Sequence, residues 1–227
     1  KDGAEVRTSG ISYTGLGKAF EDLSYTRYSL LRNSRFYVRY SGVPFFFAKR
    51  FSPEQNFRHF TLRSPVFPLL VGRGCPFTCT WCGGSQGSQR RFVSGLNGFV
   101  YLPQDRVVRT VREALALGYE RMHTAMDPEP VEQEYFVELW RRIRSEKIHT
   151  RWIFECNGLP SERFLNEFKK TFPDGDSVIA LSPECGNQAL RRRHKGPGFS
   201  TAAFFEKMDR IDSLGIPTEI FFTYGLP

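Results

Sequence analysis

The stretch Gly72-Arg73-Gly74-Cys75-Pro76-Phe77-Thr78-Cys79-Thr80-Trp81-Cys82-Gly83-Gly84-Ser85 sets three thiols at C-x3-C-x2-C spacing, close enough for one loop to wrap a single metal centre. A structural zinc site takes four protein ligands, and an ordinary iron-sulfur cluster takes four cysteines. The other two cysteines, Cys156 and Cys185, lie far downstream with a helix and a strand pattern between them, so either closes the site only through a particular accident of folding. A centre with one open position is the simpler inference. An open metal position binds a small molecule directly, which makes the centre catalytic and not merely an electron carrier. Five cysteines are also too few, and odd in number, for a disulfide framework, so the cluster points to a metal held in a reducing compartment.

The elements that must position this loop are legible from about residue 105 onward, where helical and strand patterns alternate. Val107, Val108, Val111, Ala114 and Leu115 recur at helical spacing and stop at Gly118. A strand is predicted over 121–126, then a helix over 131–146 with Tyr135, Phe136, Leu139, Trp140 and Ile143 on one face. Further strands are predicted over 151–156, 177–181 and 218–223, with helices over 161–172 and 201–214 between them. A strand over 66–72 upstream makes five. Strands joined through single helices need right-handed crossovers, so the sheet is expected to be parallel with helices on its outer face. No Gly-x-Gly-x-x-Gly of the dinucleotide type follows the first strand; the cysteine cluster does, at the strand end where barrels carry their chemistry. The expected architecture is therefore α/β: a partial (β/α) barrel, cut after its fifth strand, spanning 65–227. Residues 1–64, rich in Tyr, Phe, Arg and Ser, with the aromatic stretches 35–40 and 45–47 and no sustained helical period, read as the tail of a preceding domain plus a connector.

A C-x3-C-x2-C loop with an aromatic residue before its last cysteine, at the end of the first strand of a strand-helix series, resembles the radical S-adenosylmethionine superfamily. That resemblance implies a 4Fe-4S cluster on Cys75, Cys79 and Cys82, whose fourth iron chelates S-adenosylmethionine. One electron then cleaves the sulfonium to methionine and a 5'-deoxyadenosyl radical that abstracts a substrate hydrogen. Trp81 falls where the family places an aromatic near the adenine, and Gly83 and Gly84 where small residues admit the cofactor; a core aromatic and a plain turn are the ordinary alternatives. Leu181-Ser182-Pro183-Glu184-Cys185-Gly186-Asn187, followed by Leu190 and Lys195-Gly196, is similar to the family's Gly-x-Glu-Ser segment and trailing Lys-Gly, which implies a cofactor contact for Glu184. The flanking Ser182-Pro183 and Cys185 depart from that pattern. After the second strand, Asp127 or Glu129 stands where the family has an acidic loop that holds the methionine ammonium, although a solvated turn fits Met126-Asp127-Pro128-Glu129-Pro130 as well. The closing Tyr224-Gly225-Leu226-Pro227 matches the start of a segment that follows the fifth strand. The lead-in Asp2-Gly3-Ala4-Glu5-Val6 through Gly10-Ile11-Ser12-Tyr13 is similar to the end of a cobalamin-binding domain in members that carry one, which implies cobalamin in a longer parent; the cobalt-ligating Asp-x-His-x-x-Gly is absent here.

The rest of the sequence bounds the partners. No apolar run approaches the roughly 18 residues needed to cross a bilayer, so a cytoplasmic protein is expected. Thirty-two Lys and Arg against 24 Asp and Glu give a net charge of +8, a bias toward anionic partners. The densest basic run, Arg191-Arg192-Arg193-His194-Lys195, reads most simply as a solvated helix end, and scattered arginine pairs without base-stacking motifs make nucleic acid an improbable partner. His59, His123, His149 and His194 share no metal spacing; His123 sits in a predicted strand, either in the core or facing a substrate. The expected partners are a small-molecule or peptide substrate and an electron donor such as a flavodoxin or ferredoxin. The rival reading is a non-catalytic, zinc-binding, basic nucleic-acid module.

Overall fold

The computed structural model of the chain describes residues 22, 24–39, 41, 65–87, 99–124, 133–196 and 198–226. Asp127 and Glu129, the stretch 45–47 and the lead-in 1–13 lie outside the described residues. A 3-10 turn at Tyr28–Leu30 and a short helix α1 (Ser34–Arg39) come first. Then follow β1 (Val66–Pro68), β2 (Gly72–Gly74), β3 (Phe99–Tyr101), α2 (Gln104–Ala116), β4 (Arg121–Thr124), α3 (Gln133–Ser145) and β5 (Arg151–Cys156). The chain continues through α4 (Glu162–Thr171), β6 (Val178–Glu184), α5 (Gln188–His194), α6 (Thr201–Ser213) and β7 (Thr218–Phe222). Strands β1, β4, β5, β6 and β7 form one sheet in that order, every pair parallel. Sequential strands lie side by side with a helix between them, which is the predicted partial barrel.

Alternation along each strand decides which side chains meet the helices. Met122, Trp152, Phe154, Cys156, Ile179 and Leu181 point to the helical face and are essentially inaccessible. There they meet Phe136, Trp140, Phe164, Phe168 and Phe172 in an edge-to-face aromatic network, with Trp140 and Trp152 at 4.7 Å and Phe136 and Phe154 at 4.7 Å between centroids. Inside this packing Trp152 Nε1–H donates to Thr124 Oγ1 at 3.0 Å, whereas the buried Trp140 Nε1–H finds no acceptor among the described residues. Caps fix the helix ends. Ser161 Oγ accepts from Phe164 N and Ser200 Oγ from Ala203 N. The stop at Gly118 is realised as a left-handed residue, φ +96°.

Three expectations need correction. The predicted strand over 66–72 is two elements. The main-sheet strand ends at Pro68, with a last ladder bond from Leu69 N to His123 O. The chain then turns into β2, which pairs antiparallel with β3 and delivers Cys75 directly after Gly74. Secondly, the stretch 35–40 contributes α1, a helix where no helical period shows. Thirdly, β6 runs three residues past its predicted end, to Glu184, through a register shift against β7 between Leu181 and Glu184. The segment before the core packs on β1 and α2: Ser41 Oγ accepts from Val66 N, and Asp22 O accepts from Arg106 Nη2.

Candidate metal and cofactor site

Cys75, Cys79 and Cys82 share one loop beyond β2, all as free thiols, Cys82 the most exposed. Burial pushes the Cys75 thiol up; the amide of Phe77 opposes this, the neighbouring Cys79 and Cys82 add to it, and Lys195 pulls the other way. Two backbone amides already address the sulfurs: Gly84 N–H donates to Cys82 Sγ at 3.3 Å, and Gly196 N–H donates to Cys79 Sγ at 3.2 Å. Among the described residues, no three His, Cys, Asp or Glu side chains close on a point that could chelate one ion. The donor set is thus three soft thiols on one turn with amide donors at two of them, which fits a cluster ligated at three corners. Gly83, Gly84 and the partly exposed Trp81 lie on the same turn. Among the described residues, a Cβ on Gly83 would meet nothing within 4 Å, so their packing does not demand glycine there.

The far wall of the site is built by the chain after β6. Glu184, the last residue of β6, has φ +65°, a conformation that non-glycine residues hold only when their surroundings enforce it. Its backbone carbonyl accepts from Thr223 N at 2.8 Å, and its carboxylate binds the Thr223 hydroxyl and, at 3.2 Å, Lys195 Nζ. The Lys195 and Glu184 side chains are 2% and 14% exposed. Glu184, Lys195 and Gly196 therefore stand at the carboxyl end of β6 beside the cysteine loop, the edge where parallel α/β sheets place ligands.

The basic run is not a solvated helix end. Arg191, His194 and Lys195 are buried and only Arg192 and Arg193 are exposed. Arg191 donates to Cys185 O, Phe199 O and Thr201 Oγ1 at 2.8 to 3.1 Å and lies over the Phe199 ring at 4.8 Å. His194 Nδ1 meets Thr80 Oγ1 at 2.8 Å, and His194 O accepts from Thr80 N at 2.9 Å. R-R-R-H carries no apolar period, so the sequence pattern does not predict these contacts. Asn187, whose Oδ1 caps α5 at Ala189 N and Leu190 N, was the available signal. Cys156 is a buried core residue, and Cys185 Sγ lies 3.3 Å from Asn187 O.

His123 lies on the sheet face away from the helices, with its Nε2 3.5 Å from Glu155 Oε2. Register places Glu155, Ala180 and Glu219 in one row across β5, β6 and β7. Partial burial raises Glu219 above the usual carboxylate range; His123 opposes the shift, Glu155 adds to it and Arg121 opposes it. His123 also borders a cavity of about 490 Å³ that is lined by Tyr28, Phe36, Tyr37, Val66 and Pro68 among others.

With the geometry in place, comparison with known proteins identifies the family. The model of the Radical SAM superfamily matches residues 69–227, and the chain belongs to that superfamily. No curated protein matches it. Among solved structures it is similar to the radical S-adenosylmethionine methyltransferase TsrM from Kitasatospora setae with cobalamin and a 4Fe-4S cluster bound, at 17% identity and a TM-score of 0.55. It is also similar to the same enzyme with tryptophan substrate and the analogue aza-SAM bound, at 18% identity and a TM-score of 0.53. Both alignments cover 73% of this chain, which spans 32% and 31% of the lengths of those chains. At that identity the likeness shows the shared fold.

Proposed function

We propose that this superfamily member is the catalytic core, residues 65–227, of a radical S-adenosylmethionine enzyme, with Cys75, Cys79 and Cys82 as the ligands of a 4Fe-4S cluster. The observation that carries this reading is the placement of three thiols on one loop, two of them hydrogen-bonded by backbone amides, beside the carboxyl end of β6. When bound, the cluster and S-adenosylmethionine supply reductive cleavage of the sulfonium to methionine and a 5'-deoxyadenosyl radical. The chain's own part would be to leave one iron without a protein ligand, to offer room at Gly83 and a small residue at Gly84 beside Cys82, and to supply Trp81 and Glu184 as contacts for the cofactor. Asp127 is assigned to the methionine ammonium. The polar face of the sheet, with His123, Glu155 and Glu219, is the wall on which a small-molecule or peptide substrate rests.

The fold shared with a cobalamin-binding methyltransferase, together with the lead-in 1–13, supports methyl transfer as the outcome in a cobalamin-carrying parent; residues 1–64 are then the end of that domain and its connector. A flavodoxin or ferredoxin in the cytoplasm serves as electron donor. The zinc and nucleic-acid rival is the less favoured reading, since two of the four Arg and Lys side chains in the densest basic run, Arg191 and Lys195, are buried.

The test is anaerobic reconstitution of the full-length protein followed by reduction in the presence of S-adenosylmethionine. The expected result is about four iron per chain and formation of 5'-deoxyadenosine, both lost in Cys75→Ala, Cys79→Ala and Cys82→Ala. Stoichiometric zinc with no iron uptake overturns the reading.

A further inference from the structure

We propose that the Lys195-Gly196 turn, joined to the cysteine loop from the far end of β6, is a positioning device that raises the reduction potential of the cluster that loop holds. The inference rests on the cluster assignment above and goes beyond it to residues that are not ligands.

Three observations converge on the turn. Its amide reaches a ligand sulfur directly, Gly196 N–H to Cys79 Sγ at 3.2 Å. An amide donor at a thiolate stabilises the extra negative charge of the reduced cluster, so the potential moves upward. The approach is also as close as backbone allows: a Cβ built on Gly196 would lie 2.6 Å from Phe77 Cβ and 2.9 Å from Thr78 N. Only glycine lets the turn touch the loop. Finally, the turn is clamped on both sides. His194, one residue before Lys195, holds Thr80 through side chain and backbone. The Lys195 ammonium is tied to Glu184, and Arg191 fastens the same helix to the chain on either side of it. A segment held by this many polar contacts cannot drift from the sulfur as the cluster gains an electron, and its Lys195 directly precedes the amide that reaches Cys79 Sγ. Substitution of Lys195 and of Glu184 therefore has opposite effects, since one removes a positive charge near the thiolates and the other a negative one.

The test is the midpoint potential of the cluster, read by EPR during redox titration of the reconstituted full-length protein without S-adenosylmethionine. Gly196→Ala and Lys195→Gln are expected to shift the potential downward, and Glu184→Gln upward. Arg193→Gln, an exposed change of equal charge on the same helix, is expected to leave it at the wild-type value. Glu184→Gln keeps the shape and an acceptor for Lys195, so it supplies a reading even where Gly196→Ala fails to fold. Wild-type potentials in Gly196→Ala and Lys195→Gln overturn the inference, as do equal shifts in Lys195→Gln and Arg193→Gln, which would report bulk charge alone. A wild-type protein that assembles no cluster defeats instead the functional reading on which the inference rests.

Discussion

Arg191 shows what individual residues contribute and how far their types reveal it. The residue is 2% exposed and its guanidinium donates to two backbone carbonyls and a hydroxyl. Truncation removes three hydrogen bonds and leaves a cavity at a buried side chain, so Arg191→Ala is expected to cost about 2–4 kcal/mol in urea unfolding, against less than about 0.5 for the exposed Arg192→Ala. Equal effects of the two variants would contradict the buried-fork geometry. Thr124→Val is a milder case: it strands Trp152 Nε1 inside the aromatic core and is expected to cost about 1–3 kcal/mol by the same measurement. From sequence, the three cysteines announce themselves because metal ligation depends on residue type and spacing. Arg191, His194 and Thr80 do not, because their roles depend on partners brought close only by the fold. Glu184 stood out by resemblance alone; its φ of +65° and its ties to Lys195 and Thr223 are tertiary facts.

At the scale of elements, hydrophobic period carried the reading wherever one face of an element is buried. Helices α2, α3, α4 and α6 and strands β4, β5, β6 and β7 were all anticipated, with ends displaced by a few residues at most. The failures share a physical cause. Strands β2 and β3 are three residues each, too short for alternation to register, and α5 is pinned by polar contacts and not by an apolar stripe. These two weakly patterned features form the two sides of the candidate site. Strand β7 lies at one edge of the sheet, with Ile220, Phe221 and Phe222 at 39%, 43% and 63% exposure. An exposed apolar edge strand is a template for association. Phe222→Lys is accordingly expected to reduce self-association of the 227-residue chain in sedimentation velocity, and an unchanged distribution would show that this edge is not the contact.

The whole molecule carries +8, and ion pairs tie α3 to α4. Glu167 on α4 accepts from Arg144 of α3 and from Lys170, each at 3.1 Å. Burial works against its ionisation, but the bonds from Lys170 and Arg144 win and hold the carboxyl below the usual range. A carboxyl depressed in the folded state contributes stability that is fully present above its unfolded value and is lost as pH falls through the folded one. Glu167→Gln is therefore expected to be less stable than wild type at pH 7, with the gap closing as the pH drops below the ordinary carboxylate range; a pH-independent gap would contradict the pairing. The central claim, though, concerns the three-cysteine loop, its open iron and the cofactor that binds there. It is tested most directly by low-temperature EPR of the reduced, reconstituted full-length protein with and without S-adenosylmethionine. The account predicts a 4Fe-4S signal that changes on addition of the cofactor and is absent in Cys79→Ala. A cluster signal indifferent to the cofactor, or one that survives loss of Cys79, would contradict it.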